Sequence, residues 1–186
     1  MLDHFDIIAP IYDRIIKLSV EPELLDMLKL PAAGSLLDAG GGTGRVSQKL
    51  KDYVDNVVVC DVSHRMLKQA TKKDGLQPVR TKVEKLPFPD ESFERILVVD
   101  ALHHFKNPAA AVAELVRVLK PGGRLVIEDF DINRFVVKLI AWAEKMALMG
   151  SRFFTPDEIG DMIRDSGLSP DITRNGQASV WVAADK

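Results

Sequence analysis

Between Leu36 and Ser47 the chain reads LLDAGGGTGRVS, an aspartate followed by Gly40, Gly41, Gly42 and Gly44. Glycine permits positive φ and lets a ligand touch the main chain. A glycine turn between an apolar run and a helical pattern is where backbone amides meet a nucleotide. The next apolar run, VVVCDVS, ends on Asp61, roughly 20 residues after the first glycine. From there a carboxylate accepts hydrogen bonds from both ribose hydroxyls. The dinucleotide fingerprint G-x-G-x-x-G would require a glycine where Arg45 stands, and no Gly-Lys-Ser/Thr phosphate loop follows. Asp38, just before the turn, would repel a pyrophosphate and attract an ammonium or sulfonium. The pattern favours a ligand with adenosine at one end and positive charge at the other, a shape that S-adenosylmethionine (SAM) has. Helix capping is the plainer role for either aspartate. The helix start lies several residues beyond Asp38, however, and Ser63 is better placed than Asp61 to cap the next helix.

His103 and His104 follow a third apolar run, ILVVDALHH. A histidine of pKa near ~6.5 can take a proton from an oxygen or nitrogen acceptor. The same pair precedes a helix at 108, where one of them can cap or pack. Together with Cys60 they lack metal-site spacing, and Cys60 belongs to a strand. Glu128 and Asp129 close a further apolar run, and Tyr12 lies in an amphipathic N-terminal stretch. These are the other polar groups expected to face an acceptor.

Positioning such residues takes alternating strands and helices. Strands are predicted at 35–39, 56–60, 77–81, 95–99 and 124–129, and helices at 4–18, 21–29, 44–51, 63–72, 108–119 and 156–166. Each strand is an unbroken apolar run, as a sheet covered on both faces requires. The alternation implies a doubly wound α/β fold with a parallel sheet. Asn175-Gly176 between two extended runs signals a hairpin and an antiparallel edge, and KPGG at 120–123 reads as a turn. Phe135, Leu139, Trp142 and Met146 recur at helical spacing within 130–154, where a cap over an acceptor pocket or a core helix would fit, ahead of a membrane-surface helix to which Arg134, Lys138 and Lys145 lend a slight basic character.

A length of 186 residues, 46% of them hydrophobic, suits one domain with a real core. The single cysteine excludes a disulfide framework. Interleaved acidic and basic residues exclude a broad cationic footprint for nucleic acid. No apolar run reaches the ~18 residues of a membrane span, and MLDHFDIIAP lacks the basic start of a signal peptide. A cytoplasmic setting without stable membrane insertion is expected.

LLDAGGGTG, VVVCDVSHRML, VEKLPFPDESFERILVVDALHHF and VLKPGGRLVIED, in that order, resemble a class I SAM-dependent methyltransferase. The opening FDIIAPIYDRI is similar to the N-terminal segment of the small-molecule group that includes the ubiquinone/menaquinone C-methyltransferases. The resemblance implies a Rossmann-like three-layer sandwich with a seven-stranded, mostly parallel sheet whose last strand is antiparallel. It implies one domain over 1–186, with a helical lid at 1–30 and a cap at 130–154. Asp38, Gly40, Gly42 and Gly44 would approach the methionine portion of SAM, and Asp61 the ribose. Val62 and Met66 would lie beside the adenine, Val83 and Glu84 would border it, and Asp100 and Ala101 would close the site. The family often has an acidic residue where this chain has Lys82.

Catalytic candidates are Tyr12, His103 and His104, with the N-terminal helix folding over the cofactor through Phe5 and Tyr12. The expected acceptor is a small molecule, aromatic, quinone-like or lipid, and a homodimer would help close the pocket. The rivals are a SAM-binding protein without catalysis and an NAD-dependent oxidoreductase. A nucleic-acid enzyme is disfavoured, because VVDALHH carries no Asn-Pro-Pro-Tyr or Asp-Pro-Pro-Tyr motif for a flipped base.

Overall fold

The short apolar runs form the strands of one sheet in a computed structural model that describes residues 22–130, 132, 152–175 and 179–186. Strands β1 (Ser35–Ala39), β2 (Asn56–Asp61), β3 (Leu76–Arg80), β4 (Phe93–Val99) and β5 (Leu119–Phe130) run parallel. Strand β6 (Asp171–Asn175) pairs antiparallel with β7 (Ser179–Asp185), which pairs antiparallel with β5. The order is β3-β2-β1-β4-β5-β7-β6. The chain leaves β1 for β2 on one side and returns to β4 on the other. That reversal opens a crevice beyond the carboxyl ends of β1 and β4. The expected fold class is the one observed.

Helices α1 (Pro22–Leu28), α2 (Ser47–Leu50), α3 (His64–Ala70), α4 (Pro108–Val118) and α5 (Pro156–Asp165) cover the sheet. Successive strand residues point to opposite faces. Leu37, Ile96 and Ile127 join Leu115 and Ile159 in one cluster, while their neighbours Leu36, Leu97 and Val126 join Leu28 and Leu50 in another. This double burial is why the central strands read as continuous apolar runs, whereas the edge strand β3, LQPVR, has no buried residue.

Two expectations fail for nonlocal reasons. KPGG at 120–123 is not a free turn but part of β5, where the register jumps from Phe93↔Leu119 to Arg95↔Arg124. Lys186 holds this bulge from the chain's far end: Gly122 N donates to Lys186 O at 2.7 Å and Lys186 N donates to Gly123 O at 3.0 Å. The helix predicted over 44–51 shrinks to α2 plus a 3₁₀ turn at Lys51–Tyr53, because Gly42 and Gly44 hold φ of +56° and +69°.

The β6–β7 pairing realises the expected hairpin, closed by Asn175↔Ser179, while Gly176 itself lies outside the described residues. So do the helix expected at 4–18, with Phe5 and Tyr12, and the 133–151 part of the cap. Among the described residues no helix is long and apolar enough to cross a membrane.

Candidate active site

The crevice holds a cleft of about 270 Å³. Asp38 lines it from the end of β1 and is 2% exposed. The Ser47 hydroxyl donates to Asp38 Oδ2 at 2.5 Å, so the aspartate is tied to α2 without capping it. Burial pushes this carboxyl up from 3.8 to about 6, against the lowering pull of the Ser47 hydroxyl and the Arg45 charge.

The glycines divide by what surrounds them. Gly40, at φ +78°, leaves no room for a side chain, since a Cβ would lie 2.6 Å from Ala101 Cβ. A Cβ on Gly41 would sit 2.5 Å from the Asp38 carboxyl. Gly42, at φ +56°, faces open space, with Asp61 Oδ2 as its near neighbour at 3.9 Å. A side chain there would fill the cleft, so this is the point where a ligand can approach main chain.

Gly44 is not in the cleft, contrary to expectation: at φ +69°, its Cβ would meet Leu76 Cδ1 at 2.6 Å, with Ala70 and Val59 beyond. This is the third-glycine role of close helix–strand packing. Gly44→Ala is expected to cost ~1–3 kcal/mol through backbone strain and overpacking. The urea midpoint falls while its slope is kept.

Asp61 clamps two elements. Its Oδ2 accepts from Gly42 N at 3.0 Å and its Oδ1 from Ser63 N at 2.7 Å. Ser63 caps α3, its Oγ accepting from Met66 N at 3.1 Å, which leaves the Asp61 carboxylate at the cleft wall. Val62, 48% exposed, and the buried Met66 and Val83 give this end an apolar surface. Glu84 also lines it, and its Oε1 accepts from Asn107 N at 3.1 Å, joining the loop after β3 to the loop after β4. Lys82 stands exposed on the rim. Cys60 is buried in β2 and its thiol is pushed up to about 12, so it is no nucleophile.

At the end of β4, Asp100 adopts a left-handed φ of 50°. Burial raises its carboxyl, and nearby Asp129 adds to the rise. Arg45 Nη2 approaches Asp100 Oδ2 at 3.5 Å. Ala101 packs under Gly40 and borders the cleft.

The two histidines separate. His104 lines the cleft, and burial drives its imidazole down to about 3, with the charge of His103 adding to the effect. It is neutral and weakly basic at neutral pH. His103 is 3% exposed and does not reach the cleft. Its Nδ1 is 2.6 Å from Asp129 Oδ1, its backbone N donates to Asp129 Oδ2 at 3.0 Å, and its ring stacks on Phe153. The geometry therefore withdraws His103 and Asp129 from the acceptor side, where the sequence placed them. Tyr12 lies outside the described residues.

The cleft also recruits residues the sequence reading passed over, among them Arg45, Thr81, Phe105 and Lys106. Arg45 carried a signal: it stands at the third fingerprint position, where it registers only as an absent glycine. A bare main chain at Gly42, deep carboxylates at Asp38 and Asp61, and apolar side chains near Val62 fit a ligand that is adenosine at one end and cationic at the other.

Residues 37–127 match a family model described as a methyltransferase domain. The stretch from β1 into β5, rather than the whole chain, resembles the class I SAM-dependent methyltransferases. A ubiquinone/menaquinone biosynthesis C-methyltransferase of Hahella chejuensis is 33% identical over 117 residues, covering 58% of this chain and 47% of that one. The 27-O-demethylrifamycin SV methyltransferase of Amycolatopsis mediterranei is 30% identical over 178 residues, covering 88% and 65%. A crystal structure from Thermotoga maritima, described as a SAM-dependent methyltransferase and possible histamine N-methyltransferase, superposes with a TM-score of 0.72 at 26% identity, covering 88% and 89%. The chain spans about half the length of the first curated relatives it matches, 47% and 53%.

Proposed function

We propose that this chain is a SAM-dependent methyltransferase acting on a small molecule. The observation that carries the reading is one cleft in which Asp38 lies beneath the glycine turn while Asp61, at the tip of the next strand, clamps that turn to α3. An NAD-binding role is disfavoured by the buried carboxylate under the turn. SAM supplies a methyl group already activated on a sulfonium. The work of the chain is to bind, orient and exclude water. Asp38 balances the cationic end, Asp61 holds the ribose, Val62, Met66 and Val83 bracket the adenine with Glu84 at its border, and Asp100 and Ala101 close the floor.

His104, held at about 3, is too weak a base to take a proton from an acceptor, and Asp38, at about 6, is tied to the Ser47 hydroxyl beneath the glycine turn. That suits an acceptor whose nucleophile ionises without help, such as an activated carbon or a phenolate. The names of the quinone-biosynthesis relatives agree with an aromatic, quinone-like acceptor, and that of the rifamycin relative with methylation of an oxygen on a small molecule. In this reading the chain forms one domain, with 1–30 as lid, bringing Tyr12 to the acceptor, and 130–154 as cap. The protein works in the cytoplasm, and a homodimer helps enclose the pocket.

Calorimetric titration with SAM and separately with NAD tests the binding, and transfer of labelled methyl to a panel of phenols and quinols tests the reaction. SAM binding and labelled product are expected; NAD binding in place of SAM overturns the assignment. His104→Ala is expected to leave SAM affinity unchanged and to leave the shape of the rate profile between about pH 6 and 8 intact. An inflection near pH 6.5 that disappears in this variant would make His104 the base after all.

A further inference from the structure

The net charge of -2 conceals an uneven distribution. Between Arg65 and Lys85 the basic residues far outnumber the acids, which are Asp74 and Glu84. Both acids have partners: Asp74 Oδ2 lies 3.7 Å from Lys51 Nζ, and Glu84 Oε1 accepts from Asn107 N. The cations share one side of the molecule. Arg65, Lys68 and Lys72 recur at helical spacing along α3 and the turn after it, all exposed. Leu76 of β3 and Ala70 of α3 both border Gly44, so Leu76 points to the face that α3 covers. Arg80, four residues on, points the same way. Its Nε donates to Val62 O at 3.0 Å, just ahead of α3. Lys82 and Lys85, which bridge to each other, carry the exposed cations on to the cleft rim.

Among the described residues no carboxylate forms a salt bridge with Lys68, Lys72, Arg80, Lys82 or Lys85. Lys29, Arg117, Lys120, Arg124 and Arg164, by contrast, each meet one. Like charges without counter-charges repel one another, and an anionic surface relieves that repulsion. The edge also narrows what that surface is. β3 closes one side of the sheet, but its Pro78 has no N–H. Thr81 N donates inward to Asp61 O, so Pro78, at an odd spacing from it, faces outward. An added protein strand would find no donor there. From Val62 to Pro87 the chain has no Phe, Tyr or Trp on which nucleic-acid bases could stack. The outward side of a helix suits a plane, and clustered Lys and Arg on such a helix are the footprint of attachment to anionic headgroups.

We propose that α3 and the β3 edge form an electrostatic dock for an anionic lipid surface, which brings the cleft mouth to a bilayer. Attachment is peripheral, through headgroup charge, and needs no inserted helix. A quinone-like or lipid acceptor dissolves in a bilayer, and the cations reach the cleft rim at Lys82. The surface that rests on the headgroups therefore borders the opening through which such an acceptor enters. This use of the dock rests on the methyltransferase reading, whereas the dock itself stands on the charge and its placement.

The test is co-sedimentation of the intact chain with vesicles of phosphatidylcholine alone and with vesicles that also carry phosphatidylglycerol, alongside calorimetric titration with SAM. Binding to the anionic vesicles alone is expected, weakening ~10-fold or more as salt rises from about 50 to about 300 mM. The double variant Lys68→Glu/Lys72→Glu is expected to lower that binding ~25-fold or more, at roughly fivefold per cation lost. Arg164→Glu/Arg174→Glu makes the same charge change toward β6, the opposite edge of the sheet, and should alter binding ~threefold at most. Both double variants keep wild-type SAM affinity, since none of the four residues lines the cleft. Binding that ignores lipid charge overturns the proposal. Equal loss in the two double variants also overturns it, because net charge alone would then explain the attachment. Tighter binding to a DNA duplex than to anionic vesicles at the same salt, abolished by Lys68→Glu/Lys72→Glu, would give the surface to nucleic acid and overturn the lipid assignment. SAM binding without vesicle binding strikes the dock and leaves the methyltransferase reading standing. Vesicle binding without SAM binding does the reverse.

Discussion

Asp61→Ala is expected to weaken SAM binding by ~100-fold or more, a loss of about 3 kcal/mol. Two effects add. The first is loss of the acceptor for the ribose hydroxyls, with hydrogen bonds to a charged group worth ~1.5–3 kcal/mol. The second is local: Gly42 N and Ser63 N lose the carboxylate that holds both. The turn then rests on Gly40 N and Gly41 N, which donate to Cys60 O, and its outer half at Gly42 is no longer held by that carboxylate. Asp61→Asn separates the effects, because its amide oxygen can still accept one of the two backbone bonds while the charge is gone. Calorimetry with SAM should rank wild type above Asn and Asn above Ala, with thermal unfolding confirming that each variant is folded. A folded Asp61→Ala protein with wild-type affinity would remove Asp61 from the binding site and return it to a helix-supporting role.

The sequence discloses those features whose causes are local. Asp61 could be placed because it ends an apolar run, and a run of this length buried on both faces can only be a central strand. The hairpin between β6 and β7 and the cap at Ser63 follow from turn and capping chemistry within a few residues. The misreadings share the opposite property. Gly44 is glycine because of Leu76, which lies on another strand. His103 is drawn from the cleft by Asp129, whose place beside it is set by the pairing of β4 with β5. KPGG is held in β5 by Lys186. No spacing rule within a motif reports such contacts. Arg45 shows a subtler failure, since matching against a fingerprint records what a position lacks. Its positive charge among three aspartates becomes meaningful only when β1 and β4 bring Arg45 and Asp100 within 3.5 Å.

The second large effect follows from the buried carboxyl of Asp38. Its native value of about 6 lies above the ordinary 3.8. Between those values the folded chain holds a proton that the unfolded chain has lost, so stability falls as pH rises through that window. The cost at neutral pH is about 3 kcal/mol, fully relieved below about pH 4. Bound SAM reverses the balance, because an ammonium near Asp38 favours the ionised carboxyl. SAM binding should therefore release a proton below about pH 6, and affinity should climb ~10-fold or more from pH 5 to pH 7. The groups acting on Asp38 are Ser47, Arg45 and Asp61; only the last two carry charge. Asp100 is also raised by burial, so Asp100→Asn serves as the control that isolates Asp38. The measurement is calorimetry at both pH values in buffers of different ionisation heat, on wild type and Asp38→Asn. In Asp38→Asn the stability slope between about pH 4 and 6 flattens, the released proton disappears, and affinity at pH 7 drops ~10- to 100-fold. A proton release and pH dependence that persist in Asp38→Asn would assign the titration elsewhere. Wild-type affinity independent of pH across this window would mean that the ligand's positive charge does not lie against Asp38, and the central electrostatic argument for SAM at this turn would fail.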